Sequence, residues 1–186
     1  MTVPIFLLER IATPIGQMLL VTDGQGRLRA VDWADYEDRM LQLMRQQYRG
    51  VSVDLRETRR PSAATDTMRA YFGGDIAAID GLEVATGGTD FQRQVWAALR
   101  TIPHGSTLSY GELAARIGRP RAVRAVGLAN GANPISVVIP CHRVIGGNGV
   151  LTGYGGGLHR KQWLLEHEHA LPVRRTIPQT APLPGF

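Results

Sequence analysis

TDFQRQVWAALRTIPHGSTLSYGELAARIGRPRAVRAVGLAN, residues 89–130, carries the same helix-opening signal twice. In Thr89-Asp90-Phe91-Gln92 and again in Ser109-Tyr110-Gly111-Glu112, a hydroxyl residue is followed three places later by Gln or Glu. That is a capping box, in which two side chains satisfy backbone N–H groups left free at a helix start. Phe91, Val95, Ala98 and Leu99 then share one helical face, and Tyr110, Leu113, Ala114 and Ile117 form a second stripe. Gly118 suits the close of that helix and Pro120 the first turn of another. Two short helices joined by a Gly-containing turn read as a helix-turn-helix. A wheel over Arg121–Asn130, at about 100° per residue, puts Val123 and Val126 toward the core. Arg121, Arg124, Ala125 and Leu128 fall on the other side. Basic and small side chains on an exposed second helix suit close approach to DNA.

Working upstream, Ala85-Thr86-Gly87-Gly88 marks the boundary with a first domain, residues 1–86. There Ile5–Ile11, Gln17–Thr22 and Leu28–Trp33 read as strands, separated by the turn segments 13–16 and 23–26. Met40, Leu43 and Met44 recur at helical spacing, and a short helix is expected over Ala64–Phe72. Downstream, Ile135–Ile139 reads as a buried extended run stopped by Pro140. Then come Cys141-His142-Arg143-Val144, a glycine-rich loop from Gly146 to Gly157 that contains Tyr154, and a helix over Arg160–Glu168. Residues 171–186 hold four prolines and no periodicity and read as a disordered tail. The expectation is an α/β N-terminal domain with a small, mainly antiparallel sheet, and a mostly helical domain over residues 87–170.

The net charge of +5 is unevenly distributed. Residues 1–85 hold 10 basic and 12 acidic side chains, whereas residues 86–186 hold 11 basic and 4 acidic. A basic second half is the footprint of a polyanion partner. It is also what a solvated face of an arginine-rich protein looks like, and Lys161 is the only lysine. The single cysteine cannot form an internal disulfide, and a four-cysteine zinc site is excluded. No run approaches the roughly 18 apolar residues of a membrane span. The opening MTVPIFLLERIATP lacks the positive charge of a secretory signal. A cytoplasmic, membrane-free location follows as the expectation.

Most lone cysteines are inert buried thiols, and a lone histidine is most often part of a core. At Cys141 the adjacent His142 and the downstream Glu168 argue otherwise. A Cys–His pair supplies a nucleophile with its base, and a carboxylate fixes the imidazole tautomer. Cys141, His142, His167 and His169 have poor spacing for zinc. The glycines of 146–157 do not sit between a strand and a helix as a dinucleotide loop would. No cofactor and no metal are expected.

The ordered set of Tyr110, Arg124, Asn133, Pro140-Cys141-His142-Arg143-Val144 and Glu168 resembles the O6-alkylguanine-DNA alkyltransferases, close to the bacterial Ogt type (methylated-DNA–protein-cysteine methyltransferases). The resemblance covers residues 5–169 and is strongest from Phe91 to Glu168. It implies an RNase H-like sheet topology in the first domain. It also implies direct reversal of damage: one irreversible transfer of an alkyl group from O6-alkylguanine, or from O4-alkylthymine, in double-stranded DNA to Cys141. A monomer working through the minor groove is expected, with the base flipped out of the stack.

By the same resemblance His142 is the base, through a water, Glu168 orients it, and Asn133 braces the turn. Tyr110 donates a hydrogen bond to the base, and the pocket is completed by Val144, Tyr154 and Gly155. Arg124 fills the vacated stack, while Arg121, Ala125 and Arg119 contact DNA. Two alternatives stand beside these roles: Tyr110 as plain core packing, and Arg124 as an ordinary phosphate contact. Gly155, where many relatives carry serine, is expected with Ser136 to leave a roomier pocket. Val123, where alanine is common, is expected to face the core. A damage sensor without chemistry and a cysteine hydrolase are the rival functions.

Overall fold

The computed structural model describes residues 3–170; the tail expected over 171–186 lies outside the described residues. β1 (Ile5–Thr13), β2 (Gly16–Asp23) and β3 (Leu28–Trp33) form an antiparallel meander. Its second turn is held by Asp23, whose carboxylate accepts from the backbone N–H groups of Gln25 and Arg27. Gly26 there takes φ 77, a left-handed conformation that glycine adopts without strain. After α1 (Glu37–Gln47) the chain adds β4 (Asp54–Glu57) parallel to β1, giving the order β3-β2-β1-β4. The sheet is therefore mixed. β4 escaped the sequence reading because its DLRE has neither length nor apolar alternation; its pairing with β1 makes it a strand.

Both faces of the sheet are covered. Phe6, Leu8, Leu19, Val21 and Ala30 pack against Met40 and Met44 of α1. On the other face Ile11, Met18, Leu20, Val31 and Trp33 meet Met68 and Tyr71 of α2 (Ala63–Phe72), and that core continues into Val95, Leu99, Leu113, Val126 and Leu164. Burial on both faces explains why β2 reads as a continuous apolar run rather than an alternating one.

The second half is built from α3 (Asp90–Leu99), α4 (Tyr110–Arg116), α5 (Val123–Gly131) and α6 (Leu158–His167). Both capping boxes form, Thr89 with Gln92 and Ser109 with Glu112. The indole N–H of Trp96 donates to the carbonyl of Ala129 at 2.9 Å and ties α3 to α5. β5 (Leu108–Ser109) pairs in parallel with β6 (Val144–Ile145), so the start of α4 is fixed beside the cysteine motif. The segment 84–87 is fastened to the first half: Val84 bridges Leu28, and the Gly87 N–H donates to the Gln47 side chain.

Three local expectations are corrected. α5 starts at Val123, so Arg121 lies in the preceding turn rather than on the helix. Val123 is 39% exposed, because the whole first turn, 123–125, stands clear of the core and α5 enters it only at Val126. Residues 135–139 are buried but not extended. Ile135 bridges Val31, and the chain then turns, with the Ile139 N–H donating to Ile135 O at 3.0 Å. Burial gives the same apolar signature to a strand and to a buried turn. The turn holds Val137 at φ 71, a conformation that costs a β-branched residue roughly 1–3 kcal/mol.

Candidate active site

That strained turn delivers Cys141. The side chain of Asn133 spans it: its oxygen accepts from the Ile135 N–H (3.0 Å), and its amide donates to Ile139 O (2.8 Å) and to Cys141 Sγ (3.0 Å). Pro140 ends the turn, and Cys141–Arg143 form one 3-10 turn. Cys141 is 6% exposed. Burial, its dominant influence, raises the thiol pKa, and the Asn133 donation only opposes this, so the resting sulfur carries its proton.

His142 is wholly buried. Its Nε2 lies 3.0 Å from Glu168 Oε1. A carboxylate with a lowered pKa can only accept, so Nε2 carries the ring proton and Nδ1 holds the lone pair. Nδ1 is buried with no partner among the described residues. Burial pushes the imidazole pKa down, which keeps the ring neutral and able to take a proton. The thiol and the imidazole of the next residue are therefore both neutral at rest.

Glu168 is the hub. It caps the end of α6 and accepts from the Tyr71 hydroxyl (2.8 Å), His142 (3.0 Å) and, in a fork, Arg143 Nε (2.7 Å) and a terminal Arg143 nitrogen (2.9 Å). Burial alone would raise its pKa, but the neighbouring His142 and Arg143 hold it well below the usual carboxylate range. The sign of the consequence is definite. This pair's contribution to stability is complete above the ordinary carboxylate value of 4.5 and is lost as pH falls below it toward the lowered one. Glu168→Gln leaves a buried guanidinium without its counter-charge, which costs roughly 3–5 kcal/mol. Denaturant unfolding from pH 7 to pH 3 should show wild type losing about 2 kcal/mol of this difference on acidification, with the rest lost at lower pH, and a variant of lower, flatter stability. Equal stabilities at pH 7 would contradict the assignment.

Lys161 is buried and donates to the carbonyls of Val144 (2.5 Å), Thr152 (2.7 Å) and Gly153 (3.4 Å), tying the glycine loop to the cysteine motif. Burial lowers its pKa to about 8. Of the expected pocket residues, Val144 is buried beside the cysteine, and the Tyr154 hydroxyl is buried with no hydrogen-bond partner among the described residues. The space that Gly155 leaves is not vacant. A side chain there would collide with the guanidinium of Arg39, which reaches across from α1, donates to Asp32 at 2.5 Å and accounts for the Gly131 carbonyl at 3.0 Å. The roomier pocket expected from Gly155 is thus corrected: Arg39 occupies it.

Tyr110 packs on the core with its ring near Gly127 of α5, and it also lines an open surface depression with Arg121, Val123, Arg124 and Leu128. That position meets the core-packing reading and leaves one side of the ring at the depression. Arg119, Arg121, Arg124 and Ala125 are all exposed, Arg119 with its guanidinium 5.7 Å from the centre of the Phe91 ring, and Leu128 is 77% exposed. His167 lies away from the sulfur's partners, stacked on Trp163 and bonded to the Tyr71 carbonyl.

Sequence reasoning missed Tyr71, Arg143, Lys161 and Arg39. Tyr71 and Arg39 sit in amphipathic helices far along the chain, with nothing local to single them out. Arg143 stands inside the quoted motif, and Lys161 drew notice only as the one lysine.

Comparison with known proteins places this geometry. Residues 90–170 match the model of the "6-O-methylguanine DNA methyltransferase, DNA binding domain". A methylated-DNA–protein-cysteine methyltransferase of Salmonella typhimurium is 58% identical over 160 residues, spanning 86% of this chain and 94% of the relative. The crystal structure of Mycobacterium tuberculosis O6-methylguanine methyltransferase aligns with a TM-score of 0.69 at 42% identity, over 91% of this chain and 96% of that one. The Mycobacterium tuberculosis OGT in complex with DNA aligns at 0.70 and 44% identity, over 87% and 92%. With a buried Cys–His–Glu set, a basic helix face and relatives that cover nearly the whole chain, this protein belongs to the methylated-DNA–protein-cysteine methyltransferase family.

Proposed function

We propose that this chain reverses alkylation damage in double-stranded DNA by moving the alkyl group from guanine O6, or from thymine O4, onto Cys141 in one irreversible step. A new S–C bond forms as the C–O6 bond breaks. The electron pair stays on the base oxygen, and the thiol proton passes to Nδ1 of His142, through a water. Glu168 holds the ring in the tautomer that makes this possible and stabilises the imidazolium that results. Tyr110 donates a hydrogen bond to the departing base. The product is a thioether, which offers water no carbonyl to attack, so Cys141 is not regenerated.

The observation that carries the reading is the burial of the sulfur in the core that also packs Val126 and Ala129 of α5, whose outer face bears the exposed Arg124. A base stacked in a duplex cannot reach Cys141, so it must be turned out first. We read α4, its turn and α5 as a helix-turn-helix, with α5 entering the minor groove. Arg124 fills the vacated stack, and Arg119, Arg121 and the Ala125 face lie against the backbone. Residues 87–170 act as the DNA-binding and alkyl-transfer unit of a monomer. Residues 1–86 support it, and the meander with a fourth strand added parallel to β1 is the arrangement an RNase H-like reading requires.

Stoichiometry tests the reading. With an excess of duplex containing O6-methylguanine, one alkyl group per chain is expected, with no further turnover. Several turnovers would indicate a cysteine hydrolase, and binding without transfer would indicate a damage sensor.

A further inference from the structure

The buried triad does not end at Glu168. The Arg143 nitrogen that donates to Glu168 also lies 2.7 Å from Nδ1 of His104, and Nε2 of His104 lies 2.8 Å and 3.0 Å from the two carboxylate oxygens of Asp80. A guanidinium has only donors, so Nδ1 of His104 must be the acceptor. Its ring proton is then on Nε2, donated to Asp80. An unbroken chain thus runs from Asp80, 62% exposed on the 3-10 turn Ile76–Gly81, through His104 (26%), Arg143 and Glu168 to His142. Packing does not impose the middle link. A cavity of about 170 Å³ adjoins His104, lined by Asp80, Arg100, Pro140 and Arg143 among others, and leaves the ring room to turn away. The hydrogen bonds hold it in place.

We propose that His104, oriented by Asp80, is a positioning residue for alkyl transfer: it fixes the Arg143 guanidinium, and through Glu168 it fixes the tautomer and basicity of His142. Arg143 makes four directed contacts: the fork to Glu168, the carbonyl of Ile102 at 2.6 Å, and His104. Loss of the last lets the guanidinium swing toward the cavity and weakens the fork. The charge of Glu168 is then less compensated at His142, which gains a proton more easily. The charged or titratable groups facing His142 are Glu168, Arg143 and Lys161, with Cys141 the preceding residue of the chain. Those facing His104 are Asp80 and Arg143, with Arg100 behind Asp80 on the carbonyls of residues 80 and 82.

This inference rests on the reading of His142 as the base. Its test is the pH dependence of the single-turnover rate with O6-benzylguanine as a free base, for wild type, His104→Leu, His104→Asn and His142→Gln, each first shown to unfold cooperatively. His104→Leu should be slower at pH 7 by about two- to tenfold, the range that loss of one ordinary hydrogen bond implies. Its acid limb should move up by about one pH unit, with half-saturation unchanged. His104→Asn, whose amide oxygen stands where Nδ1 stood, should recover most of the rate and restore the limb. A merely structural role would lower the amount of active protein without moving the limb. A folded His104→Leu protein whose profile superimposes on wild type, or a His104→Asn protein no better than His104→Leu, overturns the proposal alone. A His142→Gln protein that keeps the wild-type rate and acid limb overturns the underlying reading, and the proposal with it.

Discussion

Arg124→Ala slows repair of O6-methylguanine in duplex DNA by about a hundredfold or more, while its reaction with O6-benzylguanine as a free base stays near wild type. The free base has already left the stack, so nothing has to be extruded or replaced for it. Unstacking and unpairing cost a few kcal/mol, and only the duplex substrate bears that cost. Each 1.36 kcal/mol of lost compensation is tenfold in rate. The fold has no stake in the side chain, because Arg124 is exposed and makes no hydrogen bond or ion pair among the described contacts. Tyr110→Phe provides the contrast: if its hydroxyl reaches the base, both substrates slow together. Single-turnover rates for both variants on both substrates decide the matter. Equal losses for Arg124→Ala on duplex and free base would show that the arginine supports the pocket instead.

How much of this was legible beforehand depended on whether the signal was local. The two capping boxes, the Gly118 turn and the strands of the meander each announce themselves within a few residues, and they appear where the pattern puts them. β4 does not, since its strand character comes from β1, nearly fifty residues away. The turn at 135–139 reads as extended in the sequence because an apolar run reports burial and not dihedral angle. Val123 reads as a core residue because a helical wheel gives relative directions but not where a helix enters the core. In the site, Cys141, His142 and Glu168 were readable as chemistry. Their supporting groups were not, because Tyr71, Arg143, Arg39 and the His104–Asp80 pair acquire meaning only when remote segments meet. Arg39 is the sharpest case, as a residue of α1 fills the space that Gly155 was expected to leave open.

The second large effect belongs to the sulfur. Cys141→Ala is expected to abolish transfer and to leave affinity for duplex DNA within about threefold, because on the proposed reading phosphate contacts from the arginine-bearing face, not the thiol, supply the affinity. The buried thiol is no strong nucleophile at rest. Even an ordinary one, of pKa about 8.5, is only ~3% ionised at pH 7, and burial raises this one further. Lowering the pKa would gain little, since nucleophilicity falls with basicity along a slope of about 0.4–0.5. On the proposed mechanism the rate comes from holding the alkyl carbon in line with Sγ while His142 removes the proton. Cys141→Ser keeps the geometry but offers a far poorer acceptor, and it should be as inactive as alanine.

The most direct measurement is the mass of the Cys141 peptide after one round of reaction with duplex containing O6-methylguanine. The account predicts a single methyl group on Sγ of Cys141 in every reacted chain, stable to prolonged incubation with fresh DNA. A methyl group on any other residue, its loss over time, or repair by the Cys141→Ala protein would contradict it.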